Sequence, residues 1–526
     1  MGKIINKREA AQKIKDGSTV GVTGFVLALH AETVTSEIEA CFLETGRPQG
    51  LTVMCSNGVG DSRTRGTNHF AHEGLLARMV AGHYGLAPML GPLIINNKFE
   101  AYCLPQGSIA QMYRARAGGR PGILSRVGLG TFVDPRLEGG KMNTLTKKDI
   151  VKVMEIDGEE FLYYKSIDVD VAIIRATTAD EKGNLSMEKE PFYGETLALA
   201  QAAKASGGIV IAEVERIVRN GSIDPRMVRL PHVLVDYIVV GDDDKLTMTA
   251  NIKYNPAISG EIRIPLQSIP ILPLNDRKVM ARRAAMELRP DMIINLGIGV
   301  PDGVSSVMAE EGISDCITMT IEAGVYGGTA VGGADFGGSY NAEAFVEMPS
   351  QFDYYDGGSL DLTCLGMAEL DGKGNVNVSK FGTRVVGPGG FINISQNAKN
   401  TVYCGALTAG GLKTEIGNGS LKIVQEGKAK KFMKEVQQVT FSGDYARKVG
   451  QNVLYITERA VFRLTPAGVE LTEIAPGVDL QKEVLGQIEG KVLVSENLKL
   501  MDPRIFTDAP MNIKSEITGN AGSRGS

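Results

Sequence analysis

Short runs of β-branched and aliphatic residues recur along this chain, each bounded by glycine or a polar cluster, and helically spaced apolar positions lie between them. Thr19–Val22, Ile209–Val214, Met292–Leu296 and Val376–Val378 read as strands of the buried type, and Lys278–Leu288 reads as an amphipathic helix. Their alternation predicts α/β units around a largely parallel sheet. One run differs from the rest. Thr318-Met319-Thr320-Ile321 ends on an acid, Glu322, immediately before Ala323-Gly324-Val325-Tyr326-Gly327-Gly328. A carboxylate leaving a buried strand among small residues can be approached by a substrate without obstruction.

The same pattern occurs twice. Leu51–Val59 aligns without gaps on Ile317–Val325, with Ser56 opposite Glu322. Asp170–Leu185 aligns on Asp361–Val376, each ending in a Lys-Gly-Asn turn (Lys182-Gly183-Asn184 and Lys373-Gly374-Asn375). Arg8–Val22 aligns on Arg283–Leu296 with a one-residue gap, each running on into a glycine turn. The expectation is therefore an α/β protein of two homologous open α/β domains, residues 1–270 and 271–518, joined near Ile269–Leu274. The tail, 519–526, has linker composition and is expected to be disordered or an expression scar. The first copy carries a long extra segment between its Gly58 turn and its Lys-Gly-Asn turn. Ligands of open α/β sheets bind at the carboxyl ends of the strands, so the active site is expected between the two copies.

Composition narrows the partners. The 526 residues carry a net charge of −5 with both signs dispersed and no basic block, which argues against nucleic acid. Six cysteines are scattered singly, as reduced core thiols of a cytoplasmic protein would be. The first residues form no secretory h-region, and no apolar stretch is long enough to span a membrane.

Several chemistries lack their signatures. Gly297-Ile298-Gly299, with Gly303, is half of a dinucleotide fingerprint, its third glycine one place late and its acidic partner missing; a nicotinamide-dependent oxidoreductase stays as an alternative of another class. There is no phosphate-binding Gly-Lys-Ser/Thr loop and no Gly-x-Ser-x-Gly elbow. His69 and His72 stand three apart without further ligands nearby, so packing or surface roles are preferred to metal. Glu322 is the candidate nucleophile. Gln106, a carboxamide between Pro105 and Gly107, and the N–H groups of the Gly387-Pro388-Gly389-Gly390 turn are the parts needed to hold a developing oxyanion.

At these elements the chain resembles the class I coenzyme A transferases over essentially its whole length, most of all the single-chain propionate or acetate CoA-transferases. The resemblance is carried by Phe70–Leu76, Gly128–Arg136, Asp353–Leu362, Gly389–Ile394, Ala406–Leu412 and Glu473–Leu480. It implies transfer of CoA between short-chain carboxylic acids, with CoA a substrate and no cofactor. Glu322 takes the nucleophile's place, Gln106 that of the oxyanion glutamine, and Gly389 or Gly390 that of the oxyanion glycine. Gly24, Phe25, Val26, Gly128, Gly130 and Gly387 are expected to bind substrate. Ala323 stands where close relatives usually have Ser or Asn, and Pro388 where they often have Cys. A glutamate of ordinary pKa, about 4.3, is ionised at pH 7 and attacks a thioester without a histidine. Ping-pong kinetics through a glutamyl-CoA thioester follow, with water excluded; an acyl-CoA hydrolase is the same-fold alternative. A cytoplasmic homo-oligomer without nucleic-acid or membrane partners completes the expectation.

Overall fold

The computed structural model describes residues 3–265 and 271–519. Ile269 and Pro270 of the expected connector, and the tail after Gly519, lie outside the described residues. Two ten-stranded sheets dominate. The first is built mainly from β1 (Lys3–Ile4), β2 (Thr19–Val22), β3 (Leu51–Cys55), β4 (Leu76–Ala81), β5 (Glu100–Cys103), β6 (Val171–Asp180), β7 (Ile209–Val218) and β8 (Tyr237–Val240), in the order β1-β8-β7-β6-β2-β3-β4-β5, with the short strands Leu185–Ser186 and Val228–Leu230 paired off this path. All ten residues of β6 are buried, as a central strand covered on both faces requires.

The second sheet contains β9 (Ile293–Leu296), β10 (Thr318–Ile321), β11 (Val325–Tyr326), β12 (Ala344–Phe345), β13 (Leu362–Gly366), β14 (Asn400–Cys404), β15 (Asn452–Ile456), β16 (Ala460–Thr465), β17 (Gly468–Ile474) and β18 (Leu493–Leu500). Its order is β12-β11-β10-β9-β13-β14-β15-β16-β17-β18. The path β3-β2-β6-β7-β8 in the first sheet and β10-β9-β13-β14-β15 in the second are the same topology, parallel at every step. The matching turns share their hydrogen bonds too. Asp180 accepts from the Lys182 and Asn184 N–H groups and from the Asn184 amide, and Asp371 does the same with Lys373 and Asn375.

The sheets differ at their edges. In the first, the extra segment adds β4 and β5 in parallel and then the helix α1 (Gln106–Ala117). In the second, β10 turns back antiparallel into β11, and β16 extends the far side antiparallel to β15. Two expected elements shift. Val376–Asn377 pairs in a three-stranded accessory sheet rather than in the parallel one, because its partner is the antiparallel Glu369–Asp371 strand. The helix expected over Lys278–Leu288 runs from Asp276 to Ala285, begun by the Asn275 side chain accepting from the Lys278 N–H.

Across the halves, α1 packs against α4 (Met348–Asp356) and α5 (Phe391–Asn397), numbered after α2 (Thr196–Ala205) and α3 (Asp276–Ala285). Gln111 donates to the Pro349 carbonyl at 2.8 Å, and the Gly107 N–H to Asn393 at 3.1 Å. A Cβ on Gly107 would lie 2.4 Å from the Phe352 ring, so only glycine allows this approach. Among the described residues no helix is long and apolar enough to cross a membrane, and all six cysteines are free.

Candidate active site

Glu322 follows β10, whose Thr320 lies beside Asn295 of β9 in parallel register. Ala323 is buried, and Gly324, at φ +107°, closes the turn with its N–H on the Ile321 carbonyl. A Cβ on Gly324 would stand 2.0 Å from the Val346 carbonyl oxygen. The turn is therefore fixed, and the carboxyl group is aimed into a cavity of about 360 Å³ at the carboxyl ends of the strands.

Residues of both halves form the wall. The structure brings Glu322, Gln106, Gly387, Gly389, Gly390, Phe25 and Val26 together there, along with Gly297 of the half-fingerprint. A Cβ placed on Gly390 would lie 3.4 Å from Gln106 Oε1 and 3.5 Å from Glu322 Cγ, so this glycine separates the two functional side chains by little more than its own backbone. Gln106 is the first residue of α1, and its N–H donates to the Gly389 carbonyl at 2.9 Å. The three glycines of the turn are not equivalent. The Gly389 N–H is held by the Gly82 carbonyl at 2.7 Å and the Gly387 N–H by Ser379 at 2.9 Å, whereas the Gly390 N–H has no partner among the described residues.

Phe25 and Val26 belong to a braced loop. Val26 has φ +57°, a costly conformation for a β-branched residue, held by hydrogen bonds to Gly58 and from Gly60. Phe25 leans on Phe192 and Phe336, with ring centroids 6.0 and 5.7 Å away. Gly24 is one residue outside the wall; its carbonyl accepts from Asn57, and a Cβ there would meet Val59 at 2.9 Å. Gly128 and Gly130 lie elsewhere. Gly128 donates to Gln396 at 2.8 Å, and a Cβ on Gly130 would lie 3.0 Å from Ser442 Oγ, so both serve the contact between the halves rather than the cavity.

Electrostatics depart from the sequence expectation. Burial pushes the Glu322 carboxyl up to about 7, opposed in part by a hydrogen bond from Asn295. Glu322 is thus half protonated near neutrality rather than fully ionised. Beneath it, Tyr355 donates to Thr320 Oγ1 at 2.8 Å, and the Asn295 amide reaches the Thr320 carbonyl at 3.2 Å. Asn295 was not singled out from sequence, although a lone amide in the apolar run Ile293–Leu296 was the signal for it. His83 also lines the cavity, held neutral by burial and by Arg384, which lower its pKa to about 4.

Other candidates fall into structural roles. His69 bridges Glu32 and Glu39 (2.7 and 2.5 Å) and His72 reaches Glu39 at 2.6 Å, tying one loop to the Glu32–Thr45 helix. Ser56, the counterpart of Glu322, is fully buried and donates to Glu195 at 2.6 Å.

The fold and this cleft, which sets a carboxylate beside a carboxamide, fit a transferase, and sequence comparison fixes the class. The Coenzyme A transferase family profile matches residues 5–241, and relatives extend over nearly the whole chain. The chain belongs to the coenzyme A transferase family and is a CoA-transferase. Caffeate CoA-transferase of Acetobacterium woodii is 49% identical over 97% of this chain and 98% of its own length. Acetate CoA-transferase YdiF of Escherichia coli K12 is 44% identical over 97% of this chain and 96% of its own. The crystal structure of the YdiF apoenzyme from E. coli O157:H7 superposes with a TM-score of 0.92 at 44% identity, covering 97% of both chains. A second YdiF structure, described as a thioester complex with CoA, gives 0.91 at 43% identity and the same coverage.

Proposed function

We propose that this enzyme transfers CoA between short-chain monocarboxylic acids by a ping-pong route through a covalent thioester on Glu322, using two domains, 1–270 and 271–518. The observation that carries the proposal is the closeness of Glu322 and Gln106 on either side of Gly390. In the first step a Glu322 carboxylate oxygen attacks the thioester carbon of acyl-CoA. The oxyanion accepts hydrogen bonds from the Gly390 N–H and from Gln106 Nε2, once the Gln106 amide, whose Oε1 faces Gly390 and whose Nε2 rests on Met348 Sδ, has turned about its last side-chain bond. CoA leaves as thiolate, giving an acyl-glutamyl anhydride. The thiolate then attacks the Glu322 carbonyl carbon, the first acid departs as carboxylate, and glutamyl-CoA remains. A second carboxylate reverses both steps. No proton is gained or lost overall, which suits a site whose one histidine stays neutral.

Phe25, Val26 and Gly387 line the acyl side in this reading. Gly390, rather than Gly389, supplies the backbone donor, since the Gly389 N–H is already committed to Gly82. The YdiF structure described as a thioester complex with CoA supports the intermediate for a relative. Incubation with acetyl-CoA and no acceptor acid should load CoA onto Glu322. Borohydride should then reduce the thioester to an alcohol, inactivate the enzyme and change the mass of the peptide containing Ile321-Glu322-Ala323, with no effect when acetyl-CoA is omitted. Survival of activity, or a mass change at another residue, would exclude Glu322 as the nucleophile.

A further inference from the structure

Four polar side chains line the Glu322 cavity: Glu322, Gln106, Asn295 and His83. The first three meet at the reacting carboxylate, through Gly390 and through the Asn295 hydrogen bond. His83 is left over. Its Nδ1 is buried without a hydrogen-bond partner, and Nε2 has none among the described residues. An imidazole with no hydrogen-bond partner from the protein, set in a cavity wall, is free to bond a polar group that enters the cavity.

The ring is held in a fixed orientation. A Cβ on Gly58 would lie 2.7 Å from Nδ1, and one on Gly85 would lie 2.7 Å from Cε1, so two glycines cut back the walls on either side of it. Its segment is locked to the other half, the Tyr84 and Gly85 N–H groups both donating to the Val386 carbonyl. Along the Gly387–Gly390 turn, His83 stands at one end and Glu322 at the other. A Cβ on Gly387 would be 3.0 Å from His83 Cα, and one on Gly390 3.5 Å from Glu322 Cγ. Three residues span at most about 10 Å, which bounds the separation of the two ends of the turn. Phe25, Val26, Leu86 and Val386 add apolar surface to the same cavity.

We propose that His83 is a specificity-determining residue, whose imidazole hydrogen-bonds a hydroxyl or carbonyl substituent on the chain of the acid being transferred. This rests on the cavity being the acyl-transfer site. The ring is neutral at pH 7, so it presents one N–H and one lone pair, which suit a hydroxyl, and no charge to attract a second carboxylate.

The test measures kcat/KM for matched acceptor acids with acetyl-CoA as donor: butyrate against 3-hydroxybutyrate, and propionate against 2-hydroxypropionate. In His83→Leu the ratio of hydroxylated to plain acid should fall about tenfold or more for at least one pair, and His83→Gln should recover part of it. An unchanged ratio, including a uniform fall for every acid as a contact to the pantetheine arm would give, overturns the proposal. If His83→Leu does not fold, the wild-type protein decides: exchanging the hydroxyl of the favoured acid for a methyl group should lower kcat/KM about tenfold, and equal use of the two acids overturns it. Formation of the glutamyl-CoA adduct from acetyl-CoA, measured in the same preparations, reports separately on the transfer mechanism.

Discussion

At the scale of single residues, the proposed role of the Glu322 carboxyl group predicts the pH response. With a pKa near 7, roughly a tenth is ionised at pH 6 and roughly nine-tenths at pH 8. Single-turnover adduct formation from acetyl-CoA should therefore climb about tenfold between these values and then level off. Asn295→Ala removes a hydrogen bond that favours the carboxylate, so the midpoint should move to higher pH. A flat profile between pH 6 and 8 would contradict this environment. Glu195 offers a second test, on stability. Burial raises it to about 7 in the fold, above its unfolded value near 4.5. A raised acid contributes stability below the unfolded pKa and loses it as pH rises through the folded one. Glu195→Gln keeps an acceptor for Ser56 and removes the charge, so its thermal stability relative to wild type should improve from pH 5 to pH 8. A constant difference across that range would show that Glu195 does not titrate as the fold implies.

At the scale of elements, function depends on where β10 and α1 end and begin. Gln106→Ala should lower turnover by roughly 10² to 10³ while the protein stays folded, the usual cost of one lost oxyanion donor. Gly390→Ala tests the same junction sterically. Its backbone, at φ −79°, tolerates alanine, but the added carbon enters the gap between Gln106 and Glu322 and comes within 3.1 Å of Ile394. Turnover should fall at least tenfold with little change in melting temperature; a melting loss that accounted for the activity loss would assign Gly390 to folding instead. These elements also show what the sequence exposed. The β10 run, the Glu322 turn and the Pro105-Gln106-Gly107 entry to α1 are local patterns, written in apolar spacing and glycine, and they were legible. Which glycine N–H is free depends on Gly82, some three hundred residues away, and the pKa of Glu322 depends on burial by both halves. His83, too, reaches the cavity only because its segment pairs with Val386. Gly128 and Gly130 show the same limit: their short motif marks a close approach, and only the fold shows that it is to Gln396 and Ser442.

At the scale of the whole molecule, the duplicated topology serves an asymmetric purpose. Both copies deliver a strand end to the junction between the sheets. The second delivers an acid into the cavity, whereas the first delivers Ser56 into the interior, against Glu195 and 3.8 Å from Met348 Sδ. Met348 in turn lies 3.7 Å from the Gln106 amide, so the first strand end supports the site from behind. Removing the Ser56 hydroxyl takes away the hydrogen bond that favours ionised Glu195; the carboxyl responds by staying protonated, a small adjustment in a group already near 7. Ser56→Ala should therefore keep most of the turnover at pH 7, while Glu322→Ala should abolish it, both measured with acetyl-CoA as donor and propionate as acceptor. Were Ser56→Ala, correctly folded, as inactive as Glu322→Ala, the two strand ends would share the chemistry, and the division of labour between the copies would have to be abandoned.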